Sequence, residues 1–262
     1  MAIYNELEPV FRKPMVVFFV VDPTLARYWE NQAESFQNTL NRTVPVLRMT
    51  FQNSVDSSCS VAVLVAGENP VWQTPDGPVP CEEFTWQEIP CGPSDLNQSL
   101  AELHEKMNYK TFLHSDVGMW RPVVFFLLSG DCPEQPVPAL ERLRKNNWFL
   151  HAARIVLQLG GEANHPAAEQ LTDEPDTVVR VQTPEQLGRW LEALVPFVSV
   201  NENMGCGPHQ TGSASALKRP NEKGILMIAL AKEILDGTCA DDGDYEAWQD
   251  EDNSERGDEY EK

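Results

Sequence analysis

The chain has 262 residues, enough for one large domain or one domain with an appendage, and its 42% hydrophobic content can fill a sizeable core. Forty acidic residues against 20 Lys and Arg give a formal net charge of −20, which argues against non-specific binding to nucleic acid or an anionic membrane and suits a basic partner or simple solubility. No apolar run approaches the roughly 20 residues that span a bilayer; with no export signal and no Cys-x-x-Cys pair, a soluble cytoplasmic protein with reduced thiols is expected.

The first informative stretch is MVVFFVV at 15–21, an apolar run without alternation that reads as a strand buried on both faces of a parallel sheet. It runs into Asp22-Pro23-Thr24, and ligands of open α/β sheets gather at the carboxyl ends of the strands, so chemistry is expected on this loop. Leu25, Trp29, Ala33, Phe36 and Leu40 follow at helical spacing, one apolar stripe to pack on the sheet. A second helix begun by proline is expected over 45–55, then a strand over 61–66 ending at Gly67. The four prolines and two glycines of 67–83 predict a loop, with at most a short edge hairpin reaching 84–87.

Ser94 stands where an N-cap would, ahead of Leu96, Leu100, Leu103 and Met107 on one helical face. The strongest strand, 123–128, is stopped by Ser129-Gly130-Asp131. A helix over 139–147, a strand over 153–159 ending at Gly160-Gly161, a helical stretch near 166–171 and a last strand over 177–181 follow. Thr183-Pro184-Glu185-Gln186 forms a capping box before Leu187, Trp190, Leu191, Leu194 and Val195. Strands alternating with helices predict an α/β domain with a doubly wound, mostly parallel sheet over residues 1–200, its pattern clearest over 12–199.

A C-terminal extension follows. Residues 201–223 read as a polar linker, 224–236 as a short apolar helix in need of a surface, and 237–262 as an acidic tail expected to stay disordered. The five histidines are dispersed, and Cys206 with His209 offers a zinc ion two of the four ligands it needs. Trp29, Trp148 and Trp190 read as core packing.

The loop after the first strand has no glycine and carries a proline without an N–H donor, so it is poorly suited to a dinucleotide. An aspartyl-phosphate hydrolase of the haloacid-dehalogenase type needs a second carboxylate two residues after the first, and Thr24 stands there.

The order of these landmarks resembles a von Willebrand factor A domain, most closely the bacterial cytoplasmic group of the tellurium-resistance type. The likeness rests on residues 14–24, on Gly92-Pro93-Ser94-Asp95-Leu96, on Trp120-Arg121-Pro122 with its following strand, and on the Ala-Arg strand at 153–160. The resemblance implies a divalent cation held over the top of the sheet by hydroxyls and carboxylates from three loops, its coordination completed by a partner's carboxylate. Magnesium takes about six oxygens in near-octahedral geometry, which requires several loops. Asp22 matches the first aspartate of the family's Asp-x-Ser-x-Ser loop, Thr24 keeps the first hydroxyl, and Ala26 replaces the second serine. Ser94 falls at the threonine of the second loop, while Gly130 occupies the position of the third-loop aspartate, with Asp131 one residue later.

The resemblance therefore implies a degenerate metal site. Asp22, Thr24 and Ser94 are the metal candidates if a site is retained, Mg²⁺ or Mn²⁺ the candidate ion, and no other cofactor is expected. The expected function is a non-enzymatic scaffold or adaptor in a bacterial multi-protein assembly, with Asp22, Thr24, Ser94 and Asp131 as the partner-binding surface. A second contact is expected from 224–235 and the tail. A kinase and a metal-dependent phosphatase of the same system are the implied partners. The rival is a metal-dependent hydrolase or phosphotransferase using Asp22.

Overall fold

In the computed structural model, residues 12–29, 36–52, 54–130, 137–161, 167–199 and 221–241 are described. The apolar run at the start is strand β1 (Lys13–Val21), and its lack of alternation follows from its place in the middle of the sheet. It pairs in parallel with β2 (Ser57–Val65), Met15 opposite Cys59 and Val21 opposite Val65, and on its other side with a strand over Val123–Ser129. Met15, Val17, Phe19 and Val21 enter one hydrophobic cluster, and Val16, Phe18 and Val20 enter another on the opposite face. Burying each such side chain stabilises the fold by roughly 1.5–3 kcal/mol, so a charge at any of these positions would be costly.

Helices α1 (Phe36–Asn41) and α2 (Thr43–Gln52) lie between β1 and β2, followed by β3 (Val71–Trp72), β4 (Val79–Pro80) and α3 (Leu96–Lys106). The central strand Val123–Ser129 is β5, followed by α4 (Pro138–Leu143), α5 (Asn147–His151), β6 (Ala153–Leu159), α6 (Ala168–Thr172), β7 (Val178–Val181), α7 (Pro184–Leu194) and α8 (Glu222–Asp241). The seven-stranded sheet has the order β3-β2-β1-β5-β6-β7, with β4 also paired to β2. Strands β1, β2, β5, β6 and β7 are parallel, while β3 and β4 run antiparallel along β2. Leu40, Leu47, Leu187, Leu191 and Met227 cover one face, and Leu100, Leu103, Leu140 and Leu171 the other.

Strand order reverses between β1 and β5. The chain leaving β1 turns toward the cluster that holds Leu25, whereas the chain leaving β5 reaches α4 on the opposite face. Two connections that part in this way leave a crevice above the carboxyl ends of β1 and β5, the usual ligand position of such sheets.

Several expected boundaries move. The stripe from Leu25 to Leu40 is divided: Pro23–Trp29 is a 3-10 turn and α1 starts at Phe36, with Leu25, Trp29, Phe36 and Leu40 all buried and Ala33 outside the described residues. The expected helix over 45–55 is α2, ending at Gln52 and leaving Val55 exposed. The expected helix over 139–147 is two helices, because the Asn146 side chain accepts from Trp148 N and Phe149 N and starts a new one. Asp95, not Ser94, is the N-cap of α3, its carboxylate accepting from Gln98 N at 2.9 Å. In place of one edge hairpin, β3 and β4 each pair separately with β2, and Phe84 and Trp86 turn into the core. Half of the capping box is present: Thr183 Oγ1 accepts from Gln186 N, while the returning Gln186 Oε1 accepts from Gln182 N, one residue before the cap.

Helix α8 has the surface it needs. Met227, Ile228 and Ala231 are buried in the same cluster as α7, and the helix continues to Asp241, five residues beyond the expected end. Its start is fixed by Asn221, whose Oδ1 accepts from Arg154 N at 2.8 Å and whose Nδ2 donates to Arg154 O at 2.6 Å and Thr177 Oγ1 at 3.0 Å. Strand β7 begins only at Val178, opposite Val156, so this amide takes the strand partner's place beside Arg154. The Arg154 side chain is wholly buried, donating to Leu171 O and Asp173 Oδ2 with its guanidinium over the Phe149 ring. Burial pulls its pKa down, and the Asp173 carboxylate opposes that shift. Residues 201–220 and 242–262, with most of the expected linker and tail, lie outside the described residues.

Candidate functional site

Three connections meet above β1 and β5. At the first, the strand ladder runs on through Asp22, whose N–H donates to Leu127 O at 2.9 Å. The Asp22 carboxylate is turned inward and is 1% exposed. Its Oδ1 accepts from Thr24 N at 2.9 Å and from Thr24 Oγ1 at 2.7 Å, and its Oδ2 accepts from Ser129 N at 3.2 Å. An aspartate followed by proline suits this geometry: the carboxylate takes the Thr24 N–H, the Asp22 carbonyl takes the Leu25 N–H, and Pro23 lacks an N–H that would need a partner. One carboxylate thus closes its own turn and ties it to the end of β5.

The second connection leaves β2 at Ala66. Ala66 N donates to Val21 O at 2.8 Å, and Ala66 O accepts from Asp95 N and from Ser94 Oγ, each at 3.1 Å. Ser94 pairs with Gly67 in an isolated antiparallel bridge. A Cβ built on Gly67 would meet Pro93 O at 3.6 Å and Pro23 Cγ at 3.8 Å, so the first and second loops are in contact. Thr24 and Ser94 are half-buried, while Glu68, Asn69 and Pro93 are exposed around them.

The third connection follows β5. Gly130 N donates to Leu159 O at 2.9 Å, and Gly160 and Gly161 at the end of β6 both take positive φ, 74° and 77°. A Cβ on Gly130 would overlap the Gly160 carbonyl oxygen and lie 2.7 Å from Gln158 Nε2. A Cβ on Gly160 would lie 2.7 Å from the Tyr28 hydroxyl oxygen, so Tyr28 of the first loop covers the end of β6. Main chain meeting main chain leaves no room for a side chain at position 130.

The structure brings Asp22, Thr24 and Ser94 to one end of the sheet, with Asp22 beneath the surface. Asp131 lies outside the described residues. Ala26 packs against the core and offers no oxygen. Among the described residues, no group of three or more His, Cys, Asp or Glu is placed to hold a metal ion, and no helix is long and apolar enough to cross a membrane. The sequence reading missed Ser129, Tyr28 and Gln158. The available signal was Gly160-Gly161 directly after an apolar strand, which marks a close backbone approach.

No protein-family model matches the chain, and no curated protein sequence matches it. Solved structures do. Proximal thread matrix protein 1 from the mussel byssus aligns with a TM-score of 0.51 at 11% identity, over 71% of this chain and 48% of that one. The same mussel protein with a zinc-occupied MIDAS motif gives the same values. A von Willebrand factor type A protein from Catenulispora acidiphila gives a TM-score of 0.47 at 13% identity, over 71% of this chain and 43% of that one. The chain spans about half the length of the mussel protein it matches. At such identities the likeness is one of fold alone, a mostly parallel, doubly wound α/β sheet flanked by helices.

Proposed function

We propose that the chain is a non-enzymatic protein-interaction module: a von Willebrand factor A-like scaffold or adaptor of a bacterial assembly whose top loops meet a partner without a cation. The observation that carries this reading is the bonding of the Asp22 carboxylate. Both of its oxygens accept hydrogen bonds from the chain itself, at Thr24 and Ser129. The described residues do not supply the roughly six oxygens that a divalent ion needs. Ala26 supplies none, and Gly130 has no space for a carboxylate.

Where a cation would link three loops, the Asp22 carboxylate ties the first to the third here, and the second joins the first through Ala66 N on Val21 O and the contact of Gly67 with Pro23. The rim of Glu68, Asn69 and Pro93, shaped by Thr24 and Ser94, is the surface left for a partner. The buried, fully engaged Asp22 also supports a non-enzymatic reading over one in which it attacks a phosphoester. A protein kinase and a metal-dependent phosphatase, partners of the tellurium-resistance-type group that the sequence resembles, are the first candidates.

The test isolates complexes through the full-length protein in the presence of chelator, comparing wild type with Glu68→Arg and Pro93→Arg. The reading expects complexes that survive chelation and are lost in variants whose unfolding midpoint is unchanged. Complexes that require Mg²⁺, or that ignore both substitutions, would overturn it, as would phosphoester turnover that stops in Asp22→Asn.

A further inference from the structure

We propose that Cys59 and Cys81 form a disulfide that reversibly staples β4 and the chain following it to β2. The two residues stand directly opposite each other. The antiparallel pairing of β2 with β4 sets Val61 against Val79 and Ser60 against Pro80, so the next step of the register sets Cys59 against Cys81. The ladder reaches that step, because Cys81 N donates to Cys59 O at 2.9 Å. Residues paired through such a bond have Cα atoms about 5.5 Å apart, inside the roughly 4.4–6.8 Å range that a disulfide bridges.

Both side chains point to the same side, into the core cluster that also holds Phe84 and Trp86, and both are buried, at 1% and 0% exposure. The neighbouring Cys59 thiol is the largest influence lowering the Cys81 pKa; burial and Glu82 oppose it, and Arg48 assists. Arg48 also fixes the main chain of this turn, Nε donating to Cys81 O at 2.8 Å and Nη2 to Phe84 O at 3.0 Å. Arginine at the carbonyl and thiol against thiol give Cys81 the character of the attacking member of the pair.

Closure needs an oxidant, here a low-molecular-weight disulfide. The Cys81 thiolate attacks one sulfur of the reagent, breaking its S–S bond and releasing one thiolate. The Cys59 thiolate then attacks the Cys81 sulfur of the mixed disulfide, forming the protein S–S bond and releasing the second. The two protons lost by the cysteines go to the two departing thiolates, and the reagent is reduced by two electrons. Access comes through local opening of β4, which is two residues long and at the margin of the sheet. The staple closes the chain around β3 and β4 and fixes the base of the segment that carries Ser94 to the top of the sheet.

The test equilibrates the full-length protein with hydroxyethyl disulfide and 2-mercaptoethanol at several ratios, blocks remaining thiols and digests it without reduction. The expected result is a linked Cys59–Cys81 peptide that disappears with dithiothreitol, and a Tm raised by roughly 6–12 °C in the oxidised protein, as suits a loop of about 20 residues in a domain of this size. In Cys81→Ser that reversible rise is absent. Recovery of both cysteines as blocked thiols or as separate mixed disulfides in folded wild-type protein would overturn the proposal without reference to any variant. A linked peptide with no rise in Tm would overturn the stapling role.

Discussion

Replacing Asp22 by alanine removes the acceptor of three hydrogen bonds, from Thr24 N, Thr24 Oγ1 and Ser129 N. Thr24 is half-buried, so water can take over part of its bonding, whereas Ser129 is wholly buried at the end of β5. An orphaned buried donor costs about 1–3 kcal/mol, and the two Thr24 bonds, taken over in part by water, about 1 kcal/mol together, so the substitution should destabilise the fold by about 2–4 kcal/mol. In a domain of this size each kcal/mol lowers Tm by about 2–4 °C, which places the expected drop at about 4–16 °C. Asp22→Asn keeps an acceptor for Thr24 but presents a donor to Ser129 N, and should lose the larger share, about 1–3 kcal/mol. The assay is denaturant and thermal unfolding in chelator, so that no cation contributes. A loss below about 0.5 kcal/mol for Asp22→Ala under those conditions would refute the internal tie, because ordinary surface changes fall in that range.

Five further variants test the parts around it. Gly130→Ala should destabilise by more than about 2 kcal/mol, because its Cβ overlaps the Gly160 carbonyl. For the same reason the pair Ala26→Ser and Gly130→Asp should not create Mg²⁺ binding by calorimetry; binding with the fold retained would show that the third loop has room. Asp173→Asn keeps a residue that tolerates the left-handed backbone there but leaves the buried Arg154 guanidinium without a countercharge, at a cost of about 3 kcal/mol. Arg154→Met should cost less, since Asp173 keeps its pair with Arg144, and the reverse order in urea unfolding would contradict this ranking. Asn221→Ala strands the main-chain groups of Arg154 and places alanine at φ 58°, so α8 should become the first site of limited proteolysis.

How much of this could be read beforehand depended on how local the signal was. The strands were legible because β1 and β5 carry continuous apolar runs and β6 is apolar apart from Arg154 and Gln158, each ended by polar or glycine residues, and the doubly wound order followed from their alternation with helices. Helix ends were less legible. Ser94 and Asp95 are both good caps, and the choice fell to Asp95 because the Ser94 hydroxyl donates to Ala66 O, twenty-eight residues away in sequence. The break between α4 and α5 depends on Asn146, whose amide also donates to Met107 O of a distant segment. At the site, Asp22 and Thr24 could be named from the loop pattern, but not the inward turn of the carboxylate. That turn depends on Ser129 N, which only the β1–β5 register brings within reach. The pairing of Cys59 with Cys81 was hidden similarly, since β4 has two residues and carries no alternating pattern of its own.

The most direct test of the central claim, loops joined by the Asp22 carboxylate instead of a cation, is thermal unfolding of the full-length protein in chelator and then in millimolar Mg²⁺ or Mn²⁺, with Asp22→Ala alongside. A cation at about 100 times its dissociation constant would stabilise the fold by roughly 2.7 kcal/mol, a shift easily measured. The account predicts the same midpoint for the wild type with and without either ion, and a lower midpoint for Asp22→Ala in every condition. A rise in the wild type that is lost in Asp22→Ala would contradict it and place a metal ion over the sheet.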